Sequence, residues 1–368
     1  MTADAPKPQE VPEPDPNFIG GTPLAWAIVE KDLQKYFGTT ARFGDNRKAE
    51  KFGANQGYIS QVLLADLDWT EDDEKLPKRL ILKITETEKL RVLCEQIFKK
   101  DFNAMKDGIV KIHDNEVNVY TLMRDEWNCA DDMRMPKFYF GRHYGFDGID
   151  AGYLAIEFID NCILRHMYHT VQVESAEEVL GVIAKLGARA LKDQAVVKRF
   201  EHDFLMDMFK DIFSPEKTRE GFPVLTKMFP ELEQHVEFID SKLEAFVGVE
   251  RYQAVLEELE DILRFLNGAL PGEDKVKNRK RLIQHYHDTL VKECNGEVEV
   301  PFTVEKLNEA YERILPTFTF PALPAFVGMF DMVVAGVPDD EKEGAKATLR
   351  TKMWAQIQEA LDMLHKWY

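Results

Sequence analysis

Leu80-Ile81-Leu82-Lys83-Ile84 sets one lysine into an otherwise apolar strand, and the reading of that lysine decides the fold. Strand alternation puts Leu80, Leu82 and Ile84 on one face and Ile81 with Lys83 on the other. A lysine carried inward costs rotamer entropy and desolvation, so something anionic is expected to meet it. Upstream, Gly53 and Gly57 bracket the short turn Gly53-Ala-Asn-Gln-Gly57. Downstream, Asp114 is a good N-cap for a helix running to about Asp125, which would carry Glu116 in its first turn.

Each feature has an ordinary reading alone. Lys83 could snorkel to solvent from an edge strand. Glu116 near a helix start is favoured by the helix dipole without any partner, and paired glycines commonly mark a hairpin turn. The order is more telling than the parts. A glycine turn over phosphates, a strand lysine on them and a helix glutamate fixing that lysine are the components of a kinase-type lobe.

Working outward, Gly57 to Leu67 and Arg79 to Thr85 read as two strands joined by the acidic loop Asp68 to Lys78, a hairpin with a long tip. Thr22-Pro23-Leu24-Ala25-Trp26 leads into an amphipathic segment that ends near Tyr36-Phe37-Gly38, with Gly38 as its C-cap. A helical pattern from Lys89 to Lys106 precedes the Asp114 helix, and strands resume at Lys137 to Arg142 and Tyr153 to Ile159. Beyond Asn161 the pattern is helical. Expected helices cover Ala176 to Asp193, Val196 to Phe213, Leu232 to Phe246, Tyr252 to Asn267, Lys277 to Glu293, Val304 to Ile314 and Glu341 to Lys366, with Pro230, Pro271, Pro301 and Pro316 as punctuation. The expected organisation is an α+β fold: a solvated, proline-rich tail over 1–18, a strand-containing lobe over 19–160 and a helical lobe over 161–368.

The 368 residues are 45% hydrophobic and carry a formal charge of −18, which disfavours nucleic acid and anionic membrane as partners. The one dense basic run, Lys275 to Arg281, is expected to form a solvated helix face. The apolar run Ala325 to Gly336 is too short for a bilayer and is broken by Asp331, and the start lacks the features of a secretory signal. A soluble, cytoplasmic protein is expected. Cys94, Cys129, Cys162 and Cys294 form no Cys-x-x-Cys pair and read as reduced thiols. His166 and His169 are three apart but no carboxylate or cysteine completes a metal set with them, and His285 and His287 point to different sides of their helix.

At a finer scale, Gly20-Gly21-Thr22, Phe52-Gly53, Asp68-Trp69-Thr70, Leu76-Pro77-Lys78, Leu82-Lys83-Ile84, Asn115-Glu116-Val117-Asn118, Pro136 to Gly141, His166-Met167-Tyr168 and Asp261 to Arg264 together resemble the choline-kinase-like and ecdysteroid-kinase-like proteins of the nematode-expanded branch. The likeness runs from about Phe18 to beyond Met329. It implies a protein-kinase-like two-lobe fold and ATP-dependent phosphorylation of a small-molecule hydroxyl. It further implies that Lys83 is the phosphate lysine, Glu116 its partner, Gly53 and Gly57 the covering turn, and Glu157-Phe158-Ile159 the hinge offering backbone groups to adenine.

The family's catalytic motif is His-Gly-Asp with an Asn several residues on, then an Asp before an aromatic. None of the nine histidines here is followed by Gly-Asp. The motif would lie between helices like Leu232 to Phe246 and that containing Asp261, yet only Val247-Gly-Val-Glu-Arg251 separates Phe246 from Tyr252. An alignment of Tyr252-Gln253 puts Arg251 at the metal carboxylate's place, where a guanidinium cannot ligate magnesium. Glu257, Glu258, Glu260 and Asp261 do not replace the missing ligands, because Glu258 turns away from the face that Glu257 and Asp261 share. The expectation is therefore an ATP site without a catalytic site, arising from an incomplete gene model, a splice form or a pseudokinase. A non-enzymatic helical binding or scaffold protein is the alternative.

Overall fold

A five-stranded sheet of order β1-β2-β3-β5-β4, every neighbouring pair antiparallel, forms around the lysine strand. The computed structural model describes residues 15–53, 60–92, 94–95, 101–129, 131–200, 213–248, 250 and 260–368. Its strands are β1 (Lys48–Lys51), β2 (Ser60–Asp66), β3 (Arg79–Glu86), β4 (Phe138–Arg142) and β5 (Ala151–Glu157). The β2–β3 hairpin with its long acidic tip is as expected, in the register Val62 opposite Lys83. The sequence pattern missed β1. Its Lys-Ala-Glu-Lys composition leaves it mostly exposed at the sheet edge, without the alternation that marks a half-buried strand.

Alternation along β3 does separate two environments. Leu80, Leu82 and Ile84 join Leu63, Ala65, Tyr153 and Ala155 in one core, which α1 (Trp26–Phe37) caps with Trp26, Val29 and Leu33. Gly38 closes α1 in the left-handed region, at φ 64°. The opposite face packs Leu154 and Phe138 against Val117 of α3 (Phe102–Asp125).

Here the expected break at Asp114 is corrected. After α2 (Thr87–Val92), a single helix of 24 residues begins at Asp101, whose side chain caps Asn103 N–H, and runs through Asp114 unbroken. The reason is the buried stripe Phe102, Met105, Ile109, His113 and Val117, which keeps helical spacing across that aspartate. Asp114 instead accepts a hydrogen bond from Tyr144 N–H at 2.8 Å.

Among the described residues the elements that follow are helical: α4 (Val173–Lys192), α5 (Gln194–Val197), α6 (Pro215–Met228), α7 (Val236–Phe246), α8 (Glu260–Ala269), α9 (Gly272–Cys294), α10 (Val304–Thr319), α11 (Leu323–Gly328), α12 (Phe330–Val333) and α13 (Lys342–Trp367). Their apolar faces share one large core that includes Leu180, Leu243, Leu282, Tyr311 and Ile357. The fold is thus α+β, a kinase-like arrangement of a sheet lobe and a helical lobe.

Three further expectations change. α6 was not foreseen, although Ser214 caps Lys217 N–H and Pro215 sits in the first turn, both start signals. Pro316 does not punctuate but lies inside α10, where the buried stripe Leu307, Tyr311, Leu315 continues to Phe320. The basic run Lys275 to Arg281 is only partly solvated. Lys275 and Arg279, four apart, turn inward to Glu359 and Glu312 (2.9 and 3.0 Å), while Lys277, Lys280 and Arg281 stay exposed. Expectations for the tail before Asp15, Gly57, most of Val196 to Phe213 and the segment from Arg251 through Glu258 lie outside the described residues.

Candidate functional site

β3 delivers Lys83 to the face on which α3 lies, and the two charges meet. Lys83 Nζ is 2.7 Å from Oε1 and 2.5 Å from Oε2 of Glu116, with the two side chains 31% and 27% exposed. A pair this open is screened by water, so its own stabilisation is modest. What the geometry fixes is the position of the ammonium, held by both oxygens of one carboxylate. Because α3 is continuous, Glu116 sits in mid-helix rather than at an N-terminus, and Lys83, not the helix dipole, is its counter-charge.

The anchoring of α3 lies one turn earlier. His113 is 2% exposed; its Nε2 is 2.9 Å from the Arg142 carbonyl and its Nδ1 is 3.0 Å from Thr85 Oγ1, which is in turn 2.8 Å from Ser60 Oγ. Burial pushes the imidazole pKa below its usual value. The neutral ring that donates from Nε2 to the carbonyl and accepts at Nδ1 satisfies every partner. The fit is close: a Cβ on Gly152 would stand 2.3 Å from His113 Nε2. Three residues on, the same helix face presents Glu116.

A second lock holds the sheet to α1. Asp32, 2% exposed, accepts from Arg142 Nε at 2.9 Å, Arg142 Nη2 at 2.5 Å and Tyr153 Oη at 2.6 Å. Burial first, then the neighbouring carboxylate, raises the Tyr153 phenol well above its ordinary pKa. Sequence reasoning missed both locks. Their members are far apart in the chain, and the one available signal was a lone aspartate in the apolar stripe of α1.

Gly53 takes φ 75° immediately after β1, a conformation glycine adopts without strain, while Gly57 lies outside the described residues. Phe52, just before it, contacts Phe158 edge to face at 5.6 Å, so the chain leaving β1 and the chain leaving β5 come together. At that end Glu157 is a sheet residue. Its N–H donates to the Lys137 carbonyl at 2.8 Å and its carboxylate accepts from Lys137 N–H at 3.1 Å. Ile159, 43% exposed and beyond the strand, has no backbone hydrogen bond among the described residues. Phe158 likewise has no backbone hydrogen bond among the described residues, unlike Glu157.

Arg79 lies over the Phe158 ring at 4.6 Å and binds Asp160 at 2.5 Å. Trp127 Nε1 donates to Asp193 at 3.2 Å, and Met123, Cys129 and Met133 pack beside Val182 and Leu186 of α4.

Among the described residues no group of three or more His, Cys, Asp or Glu side chains is placed to hold a metal ion. His169 Nδ1 accepts from His166 N–H at 2.9 Å and His166 stacks on Tyr168, which gives both rings local packing roles. No helix among the described residues is long and apolar enough to cross a membrane.

Comparison with known proteins adds one relationship. No curated protein matches the chain, and no solved structure matches it. The DUF1679 family, described as uncharacterized oxidoreductase dhs-27, matches in two segments, residues 17–259 and 251–368, which overlap at 251–259. By that match the chain belongs to the DUF1679 family, a family related to the nematode CHK-like kinases.

Proposed function

We propose that the protein is a kinase-like relative of small-molecule phosphotransferases that holds an ATP-type nucleotide in its sheet lobe and, with this sequence, does not transfer a phosphoryl group. The observation that carries the reading is the bidentate Lys83–Glu116 pair. A strand lysine fixed by a helix glutamate is how kinase-type lobes orient nucleotide phosphates. In this reading the turn at Gly53 covers the phosphates, Ile159 offers its backbone groups to the adenine edge, and residues 19–160 and 161–368 are the two lobes of a cytoplasmic protein. Its partner is a small molecule rather than nucleic acid, in keeping with a charge of −18.

The absent His-Gly-Asp segment limits the chemistry. Without the aspartate that positions the acceptor hydroxyl and the residues that hold magnesium, several transition-state contributions are lost together, and Lys83 alone does not replace them. That the family match comes as two segments overlapping at 251–259, not as one run, favours an incomplete gene model over a natural pseudokinase or splice form. Sequencing the transcript across Ala245 to Gln253 separates these; a continuous transcript with this sequence rules out the gene-model explanation.

The word oxidoreductase in the family description raises a second reading. A dinucleotide-binding crossover needs parallel strands with a glycine-rich turn entering a helix. Every strand pair described here is antiparallel, which favours the kinase-like site. Thermal-shift titration with ATP, with and without magnesium, and with NADH as comparison, tests the choice. ATP should raise the Tm of the native protein but not of Lys83→Met. Equal responses of the two proteins defeat the nucleotide reading.

A further inference from the structure

The helical lobe contains a cavity of about 590 Å³ walled by α8, α11 and α13, a size that accommodates a small organic molecule. Phe265, Phe326, Leu349 and Met353 give it apolar walls. Two of its polar residues are already committed. Asn267 donates to the Leu263 carbonyl and accepts from Lys275, and Gln356 donates to Thr319 Oγ1 at 3.0 Å.

Lys352 is different. Its ammonium donates to the carbonyls of Met167 at 3.0 Å, His169 at 2.5 Å, Gly268 at 2.7 Å and Ala269 at 3.2 Å, clamping the 167–169 segment to the end of α8. Those four dipoles satisfy its protons but bring no negative charge. Among the described residues no carboxylate pairs with it, whereas buried Lys275 in the same lobe has Glu359 at 2.9 Å. Burial accordingly lowers the Lys352 pKa to about 8. Lys352, Met167 and Gly268 all line the cavity, so the uncompensated cation belongs to its wall. The other charged residues there, Asp261 and Arg264, are three apart on α8 and oppose each other in sign. A chain of net charge −18 thus keeps one apolar cavity with a surplus positive charge.

We propose that this cavity is a binding site for an amphipathic monoanion, an apolar body carrying a single carboxylate. The body lies against Phe265, Phe326, Leu349 and Met353, and the carboxylate is directed toward Lys352. Attraction between the two charges requires no bond of the carbonyl clamp to break, because Coulomb attraction acts across a few ångströms of poorly screened interior. None of the residues lining the cavity belongs to the sheet lobe that carries Lys83.

Equilibrium dialysis of the full chain at pH 7 with laurate and with dodecanol, both below their aggregation limits, tests the proposal. One laurate should bind per chain, at least tenfold more tightly than dodecanol. Lys352→Met should abolish that preference, Ala322→Trp should block both ligands by filling the cavity, and Lys83→Met should change neither. Laurate that binds no better than dodecanol, a preference that survives Lys352→Met, or undiminished binding by Ala322→Trp would overturn it. Should Lys352→Met fail to fold, the native preference and the Ala322→Trp result decide.

Discussion

Lys83 and Glu116 lie 33 residues apart in sequence, on a strand and on the middle of a helix, and the fold closes them into a two-pronged ion pair. The ammonium is held in place while about a third of the Lys83 side chain stays open to solvent, the condition for meeting an anionic ligand.

Removing the carboxylate should separate positioning from stability. Because the pair is partly exposed, Glu116→Ala is expected to cost only about 1 kcal/mol in urea unfolding. Its ATP-induced Tm shift should nevertheless disappear, as in Lys83→Met. A full ATP response in Glu116→Ala would show that Lys83 does not need its partner.

His113 should make stability pH-dependent. Burial lowers its pKa in the fold, so below the unfolded value, about 6.5, the unfolded chain binds a proton that the folded one refuses. Its contribution is complete above that pH and is lost as pH falls toward the depressed folded value, at up to about 1.4 kcal/mol per pH unit. Urea midpoints between pH 7.5 and 5.5 should fall less steeply in His113→Gln than in the native protein.

Gly152→Ala should break the same lock from the other side. Its new Cβ would meet His113 Nε2 at 2.3 Å, and neither β5 nor the buried ring has room to move. Overpacking of this kind is expected to cost about 1–3 kcal/mol. Loss of the ATP response in a variant still folded by circular dichroism would show that His113 sets the position of Glu116.

In the helical lobe, Lys275→Ala leaves Glu359 buried beside Arg279 alone and should destabilise by about 3–5 kcal/mol. Lys275→Met combined with Glu359→Met should recover much of that loss, since it removes both desolvated charges. A double variant no more stable than the single would show that the pair stabilises the helices beyond its desolvation cost.

Local pattern made much of this protein legible. The period of two in Leu80 to Ile84 fixes which face carries Lys83, the acidic loop marks the hairpin, and the amphipathic stripes locate most helices, because short-range burial dictates each of them. Those patterns failed where burial and local signal part company. Polar β1 is an edge strand with little to bury, Asp114 carries a cap residue's chemistry inside a continuous buried stripe, and Pro316 is tolerated because α10's apolar face runs on past it.

The sequence by itself determined that a lysine strand, a glycine turn and a glutamate helix follow one another, and that no His-Gly-Asp is present. Tertiary structure decided that Glu116 meets Lys83 from mid-helix, that His113 and Asp32 lock the two helices onto the sheet, and that Lys275, Arg279 and Lys352 are buried cations rather than surface charges. The physical reason is that pattern reports which side of an element is buried, whereas the partner a buried charge finds depends on which distant element packs there.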